Sequence, residues 1–352
     1  MPVLKKRYAD FNDLLKVLRR EQVDHPVLFE IFFDPDYYEF FSGKSLADVP
    51  ANSLEELKIV VEAFHNAGFV YATIHGSEFE FPRVEQAHAK SRSINEGCVI
   101  HDWDSFHAYN WMDPEACCYD KLEQITPYLP DNMKLMVMGP GGVLENVTWL
   151  IGYDNMCFML YEEPELLEAV FEKVGSSMLR YYERALEYDS VGVILSNDDW
   201  GFNTQTFLSI PHMRKLVFPW HKKIVEAAHK KGKPAILHSC GYMNDVFDDI
   251  IDDMKFDAKH SFEDNILSIE QSFARWGDRI AMLGGLDLNF FIQAPMEEVR
   301  RRCTALAELA VTKPGYALGS GNSLCYYIPQ DKALAMLEIA NNYGGSSEEK
   351  EP

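Results

Sequence analysis

The sequence predicts an α/β protein built as one (β/α)8 barrel of the TIM type, and three observations carry that prediction. Eight short apolar or β-branched runs recur along the 352 residues. Amphipathic stretches with helix-type ends separate most of them, and strand-helix alternation of this kind implies a parallel sheet. Nearly every run ends on residues that can do chemistry or let the backbone turn, as expected of the carboxyl face where such barrels place their active sites.

The runs are 27–33, 69–74, 135–138, 191–195, 235–237, 256–258, 280–283 and 316–318. Between them, Ser53-Leu54-Glu55-Glu56 reads as a capping box opening a helix that Gly68 closes. Segments 164–187, 211–231 and 295–310 carry apolar residues at three- and four-residue spacing, the period of a helix with one buried face. A single barrel domain is therefore expected over 1–343. It carries an insertion around 76–133, where Tyr109, Trp111, Met112 and Asp113 either wall a pocket or build a surface excursion with its own small core. Residues 344–352, dominated by Gly, Ser and Glu, read as a frayed tail.

The run ends supply the candidate chemistry. The second gives His75-Gly76, the third Gly139-Pro140-Gly141-Gly142, the fourth Ser196-Asn197-Asp198-Asp199-Trp200-Gly201 and the fifth His238-Ser239-Cys240-Gly241. The sixth runs into His260-Ser261-Phe262-Glu263, the seventh into Gly284-Gly285-Leu286-Asp287, and the eighth into the stretch from Gly319 to Cys325. Side chains alternate faces along a strand, so His238 and Cys240 project to one side while Ser239 points away. One imidazole and one thiolate so placed suit zinc, with a third ligand from elsewhere and one position left open. Cys325 is the candidate third ligand. A lone His-x-Cys is more often a core histidine beside a small buried thiol. Its place at a strand end among other chemistry-bearing ends favours the metal reading.

Asp198, Asp199 and Asp287 are the acids expected beside the metal, to orient His238 or to move substrate protons; the competing reading of each is a helix cap. His75, Tyr109, Trp200, His260 and Asn322 are candidates for contacting substrate. His75 and His260 read more readily as satisfied strand-end histidines than as ligands.

Composition limits the alternatives. Apolar residues make up 47% and aromatics 13%, enough for a large core, and no run approaches the roughly 18 consecutive apolar residues of a membrane span. A formal charge of −22 disfavours nucleic acid and anionic membranes, which demand a basic footprint. Seven cysteines, an odd number, argue against a disulfide framework, and the basic start Lys5-Lys6-Arg7 leads into an amphipathic pattern; a cytoplasmic protein with reduced thiols is expected.

Four segments in order carry a family resemblance: Asp198-Asp199-Trp200-Gly201, the stretch from Arg214 to Ile224 containing Phe218-Pro219-Trp220-His221, His238-Ser239-Cys240-Gly241, and Leu283-Gly284-Gly285-Leu286-Asp287. They resemble the uroporphyrinogen decarboxylase superfamily, and within it the zinc-dependent, corrinoid-linked methyltransferases, over about residues 26–343. The resemblance implies the barrel fold and a role in one-carbon metabolism. It also implies zinc bound by His238, Cys240 and a later Cys, a methylcobamide co-substrate carried by a corrinoid protein, and a homodimer. The decarboxylase itself is a weaker likeness. Its members carry arginines just after the first strand to hold porphyrinogen carboxylates, and Glu30-Ile31-Phe32-Phe33-Asp34-Pro35-Asp36 contains none.

One departure concerns the third ligand. One alignment places the family's later Cys near Gly321, another on Cys325; failing Cys325, a carboxylate such as Glu263 or Asp199 can complete the shell. The expected function is transfer of a methyl group between a corrinoid and a small thiol, ether or amine, with the exposed aromatics at Tyr109 to Trp111 and Tyr326-Tyr327 as a docking rim. Two alternatives stay open: a metal-independent decarboxylase, and a non-catalytic tetrapyrrole- or corrinoid-binding protein.

Overall fold

The computed structural model describes residues 4, 10–83, 94–95 and 97–344. Seven strands follow chain order in the sheet: β1 (Tyr71–His75), β2 (Lys134–Met138), β3 (Val191–Asn197), β4 (Ala235–His238), β5 (Ala258–His260), β6 (Ala281–Leu283) and β7 (Tyr316–Ala317). Pairing is parallel between β3 and β4, β5 and β6, and β6 and β7. The protein is therefore an α/β fold of the parallel class, with seven strands among the described residues where eight are expected. Of the expected tail, residues 345–352 lie outside the described residues, as do 84–93 and 96 of the expected insertion.

The chain separates into two compact units. One comprises residues 1–74, 124–136 and 257–352, the other 75–123 and 137–256.

In the first unit the expected first strand, 27–33, is reduced to isolated parallel bridges, Leu28 with Leu318 and Phe33 with Leu324. Its ladder is interrupted at Glu30, whose amide donates to the Tyr71 hydroxyl at 2.8 Å while that hydroxyl donates to the Glu30 carbonyl at 2.7 Å. Packing holds the segment alongside these hydrogen bonds. Phe33 stacks on Phe64 at 4.3 Å and meets Phe69 edge-on at 5.5 Å, all three buried. Phe64 belongs to the helix Leu54–Ala67, which opens at Ser53, whose hydroxyl accepts the Glu56 amide, and closes at Gly68 in the left-handed conformation, as the capping signals predict. The helices Met296–Thr312 and Gln330–Asn342 pack together in the same unit.

β5 begins two residues later than the apolar run suggests. The amide of Phe256 is spent closing the preceding helical turn onto Ile250, so only from Asp257, which accepts from Ala281, is the backbone free to pair.

In the second unit the long helix Pro164–Ala185 and the helix Phe218–Lys230 pack on each other, and the latter on β3 and β4. The insertion forms short helices, Trp103–Ala108 and Lys121–Gln124 among them. Phe106, Tyr109 and Trp111 cluster there at ring separations of 4.6–5.4 Å. No helix among the described residues is long and apolar enough to cross a membrane.

Candidate metal centre

The ends of β3 and β4 are fastened to each other residue by residue. Asn197 pairs with His238 in register, the Asp198 amide donates to the His238 carbonyl at 2.9 Å, and the Trp200 amide donates to Ser239 Oγ at 3.2 Å. The Cys240 amide donates to Asp199 Oδ1 at 2.7 Å. Gly241 closes the set: its φ is +92°, and a Cβ there would lie 2.0 Å from the Gly201 carbonyl oxygen, so any other residue would force the two loops apart.

This fastening brings three donor atoms together. His238 Nε2 lies 3.7 Å from Cys240 Sγ and 3.8 Å from Asp199 Oδ1, and the donor atoms of all three residues fall within 4.8 Å of one another. Zinc bonds of about 2.0–2.3 Å in a tetrahedron put neighbouring donors about 3.3–3.8 Å apart; the two separations from His238 Nε2 lie at the upper end of that range, and the three residues could hold such an ion. Asp199, named from the sequence as an acid beside the metal and as a substitute ligand, thus stands in the cluster with His238 and Cys240. Cys325 belongs to the other unit. It is half-buried there, and burial above all raises its thiol pKa while the Tyr327 hydroxyl opposes the rise.

Asp198 occupies a different environment from its neighbour. Fully buried, it accepts the amides of Leu144 and Glu145, each at 2.9 Å, at the N-terminus of the helix Val143–Ile151, and lies 2.8 Å from His221 Nε2. It meets His238 through the main chain, its amide donating to the His238 carbonyl. The helix start is pressed so close that a Cβ on Gly142 would lie 2.1 Å from Asp198 Oδ1. Asp198 is a cap, as the competing reading had it, but of a helix 54 residues upstream.

Glu145, absent from the sequence-derived candidates, makes the return half of a capping box by accepting the Gly142 amide at 2.8 Å, while Asp198 takes the Glu145 amide that a glycine N-cap cannot. Burial first, then the charges of Asp199 and Asp198, hold its carboxyl well above the ordinary carboxylate range. The Gly142-x-x-Glu145 spacing was the available signal.

The remaining candidates divide between the units. In the unit of the Asp199, His238 and Cys240 cluster, His75 ends β1, with its pKa pushed down to about 4 by burial and then by Lys121. Its Nδ1, Asn197 Oδ1 and Trp200 Nε1 are buried with no hydrogen-bond partner among the described residues. Trp200 is buried against Phe218 and His221, and Tyr109 donates to the Pro82 carbonyl at 2.7 Å. In the other unit, Asp287 caps the helix Leu288–Gln293 by accepting the Phe290 amide and also accepts the Asp264 amide. His260 Nε2 lies 3.2 Å from the Ser320 carbonyl with its ring 5.1 Å from Phe29, and Asn322 Oδ1 accepts the Ser323 hydroxyl. That unit also holds a residue the sequence did not single out. Glu30 is fully buried, takes the Ser320 amide and hydroxyl at 2.7 Å each, and is pushed up to about 8 by burial.

The profile of the family Uroporphyrinogen decarboxylase (URO-D) matches residues 72–343. The chain belongs to the uroporphyrinogen decarboxylase family. Curated decarboxylases of that name from Dechloromonas aromatica and Alkalilimnicola ehrlichii are 22% identical over 197 residues and 23% over 190. These matches span 54% and 52% of the chain, and the chain spans about half the length of each relative, 52% and 48%. A methyltransferase from Methanosarcina mazei superposes with a TM-score of 0.65 at 16% identity, covering 94% of this chain and 97% of that one; at that identity the likeness is one of fold.

Proposed function

We propose that this family member is a zinc-dependent methyltransferase that moves a methyl group between a corrinoid co-substrate, delivered by a carrier protein, and a small thiol, ether or amine. The observation that carries the reading is the donor set at the β3 and β4 ends, Asp199 Oδ1, His238 Nε2 and Cys240 Sγ at separations suited to one ion. We take the fold as a closed (β/α)8 barrel. The isolated parallel bridges of 27–33 to Leu318 and Leu324 support an eighth position beside β7. Cys325, from the eighth strand end, is offered as a further ligand.

Zinc so held would act as a Lewis acid, lowering the pKa of a thiol or polarising an ether that enters its open position. The chain's residues prepare that position. Cys240 brings the thiolate sulfur, His238 the imidazole, and Asp199 both an oxygen and the acceptor that fixes the Cys240 main chain. His75, Tyr109 and Trp200 supply candidate surfaces for the methyl donor or acceptor. We propose His260, Asn322 and Asp287 as further candidates for contacting substrate or moving its protons, and assign Asp198 to positioning.

Zinc content per chain tests the reading. Near one zinc in the native protein, lost in His238→Ala and Cys240→Ala, together with methyl transfer from methylcobalamin to a thiol, is the expected result; Cys325→Ala then decides that ligand. The names of the curated relatives favour a second reading, a metal-independent decarboxylase. Folded variants with no zinc in the native protein would move the assignment there.

A further inference from the structure

Behind the candidate ligands runs a buried chain of polar groups in which Asp198 is joined by two residues, His221 and Ser196, that the metal reading does not use. Ser196 Oγ lies 3.0 Å from His221 Nδ1, His221 Nε2 lies 2.8 Å from Asp198 Oδ2, and all three side chains are buried. The Asp198 carboxylate also takes the Leu144 and Glu145 amides, where the positive end of the helix dipole favours its charge. Its main chain is fastened to His238, one residue before Asp199 and its grip on Cys240. Three donors from two separate helices therefore fix the residue from which the ligand loop starts.

We propose that His221 is a positioning residue for the Asp199, His238 and Cys240 centre, acting through Asp198. This rests on the metal reading above and deepens it. With Ser196 at its Nδ1, the imidazole presents an Nε2–H to Asp198, which completes the donor set of that carboxylate. Losing this donor frees one side of Asp198, and the turn from Asp198 to Trp200 that carries the Asp199 oxygen loosens against the β4 end. Groups hydrogen-bonded directly to metal ligands are typically worth about 10–100-fold in metal affinity, and His221, one step further out, is expected at the lower end of that range.

The test uses the full chain with Zn2+ and Co2+ as probes. His221→Phe keeps a ring against Trp200, whose centroid lies 5.0 Å away, and removes the hydrogen bonds; His221→Gln restores an N–H near the Nε2 position. Zinc affinity measured by chelator competition is expected to fall about tenfold or more in His221→Phe and to recover in His221→Gln. The visible spectrum of the Co2+ form should shift in the first and return in the second, a change that a general loss of stability would not produce. Ser196→Ala, which leaves the ring in place and removes its Nδ1 partner, keeps the idea testable should His221→Phe not fold; a smaller loss of affinity is expected. Native affinity and an unchanged Co2+ spectrum in the folded variants would overturn the positioning role. No metal affinity in the native protein would instead overturn the reading beneath it.

Discussion

Asp199 Oδ1 accepts the main-chain amide of Cys240 at 2.7 Å while standing 3.8 Å from the imidazole Nε2 of His238. One carboxylate therefore serves both as a structural tie between two strand ends and as a donor atom in the cluster that the tie creates. The two duties can be separated by substitution.

Asp199→Asn keeps an oxygen for the Cys240 amide and loses the negative charge; Asp199→Ala loses both. Zinc affinity is expected to fall in the order native, Asn, Ala, with the alanine variant weaker than native by about 10–100-fold or more. Competition with a chromophoric chelator measures it. Equal affinity in all three would remove Asp199 from the ligand set.

Glu30 makes stability depend on pH. Its folded pKa is raised from 4.5 to about 8, so between those values the unfolded chain releases a proton that the folded chain keeps. Stability is then greatest below the unfolded pKa and declines as pH rises towards 8, by roughly 5 kcal/mol at most over the window. Glu30→Gln, which cannot ionise but can still pair with Ser320, should flatten the part of a urea-midpoint-against-pH profile that lies between about pH 5 and 8. A profile of the same slope in the variant would assign the dependence to other groups.

Tyr71→Phe removes the single hydroxyl that both donates to the Glu30 carbonyl and accepts its amide. Two buried main-chain groups then lack a partner, at a cost of about 1–3 kcal/mol for such a group. Urea denaturation reads the loss, and an unchanged midpoint would mean that the 27–33 segment finds another partner.

Gly142→Ala places a methyl group 2.1 Å from the Asp198 carboxylate, with buried walls around it. Overpacking of this kind typically costs about 1–3 kcal/mol. The variant should lose that stability and, because Asp198 must shift, some zinc affinity too. Loss of neither would show that the helix Val143–Ile151 can retreat freely.

Much of the architecture was legible from the chain alone, because apolar runs and capping residues act over a few neighbours. The helix from Ser53 to Gly68 is one case, and β3 and β4 another, each beginning on the residue where its apolar run begins. The exceptions were decided by distant partners. Glu30 turned its amide to a tyrosine hydroxyl 41 residues away, and Phe256 spent its amide on the turn before it.

The candidate centre divides along the same line. His238 and Cys240 could be paired from sequence, since alternation along a strand puts residues two apart on one face. The different fates of the adjacent Asp198 and Asp199 could not be read that way. One carboxylate is enclosed by the start of a helix 54 residues earlier and by His221, and the other reaches a cysteine amide 41 residues later. By itself the sequence determined the strand and helix periods, the acidic balance and which residue types stand at the strand ends. Only the tertiary structure decided which of those ends meet, because hydrogen-bond partners and donor atoms are selected by proximity in space, and a one-dimensional pattern fixes proximity only between neighbours along the chain.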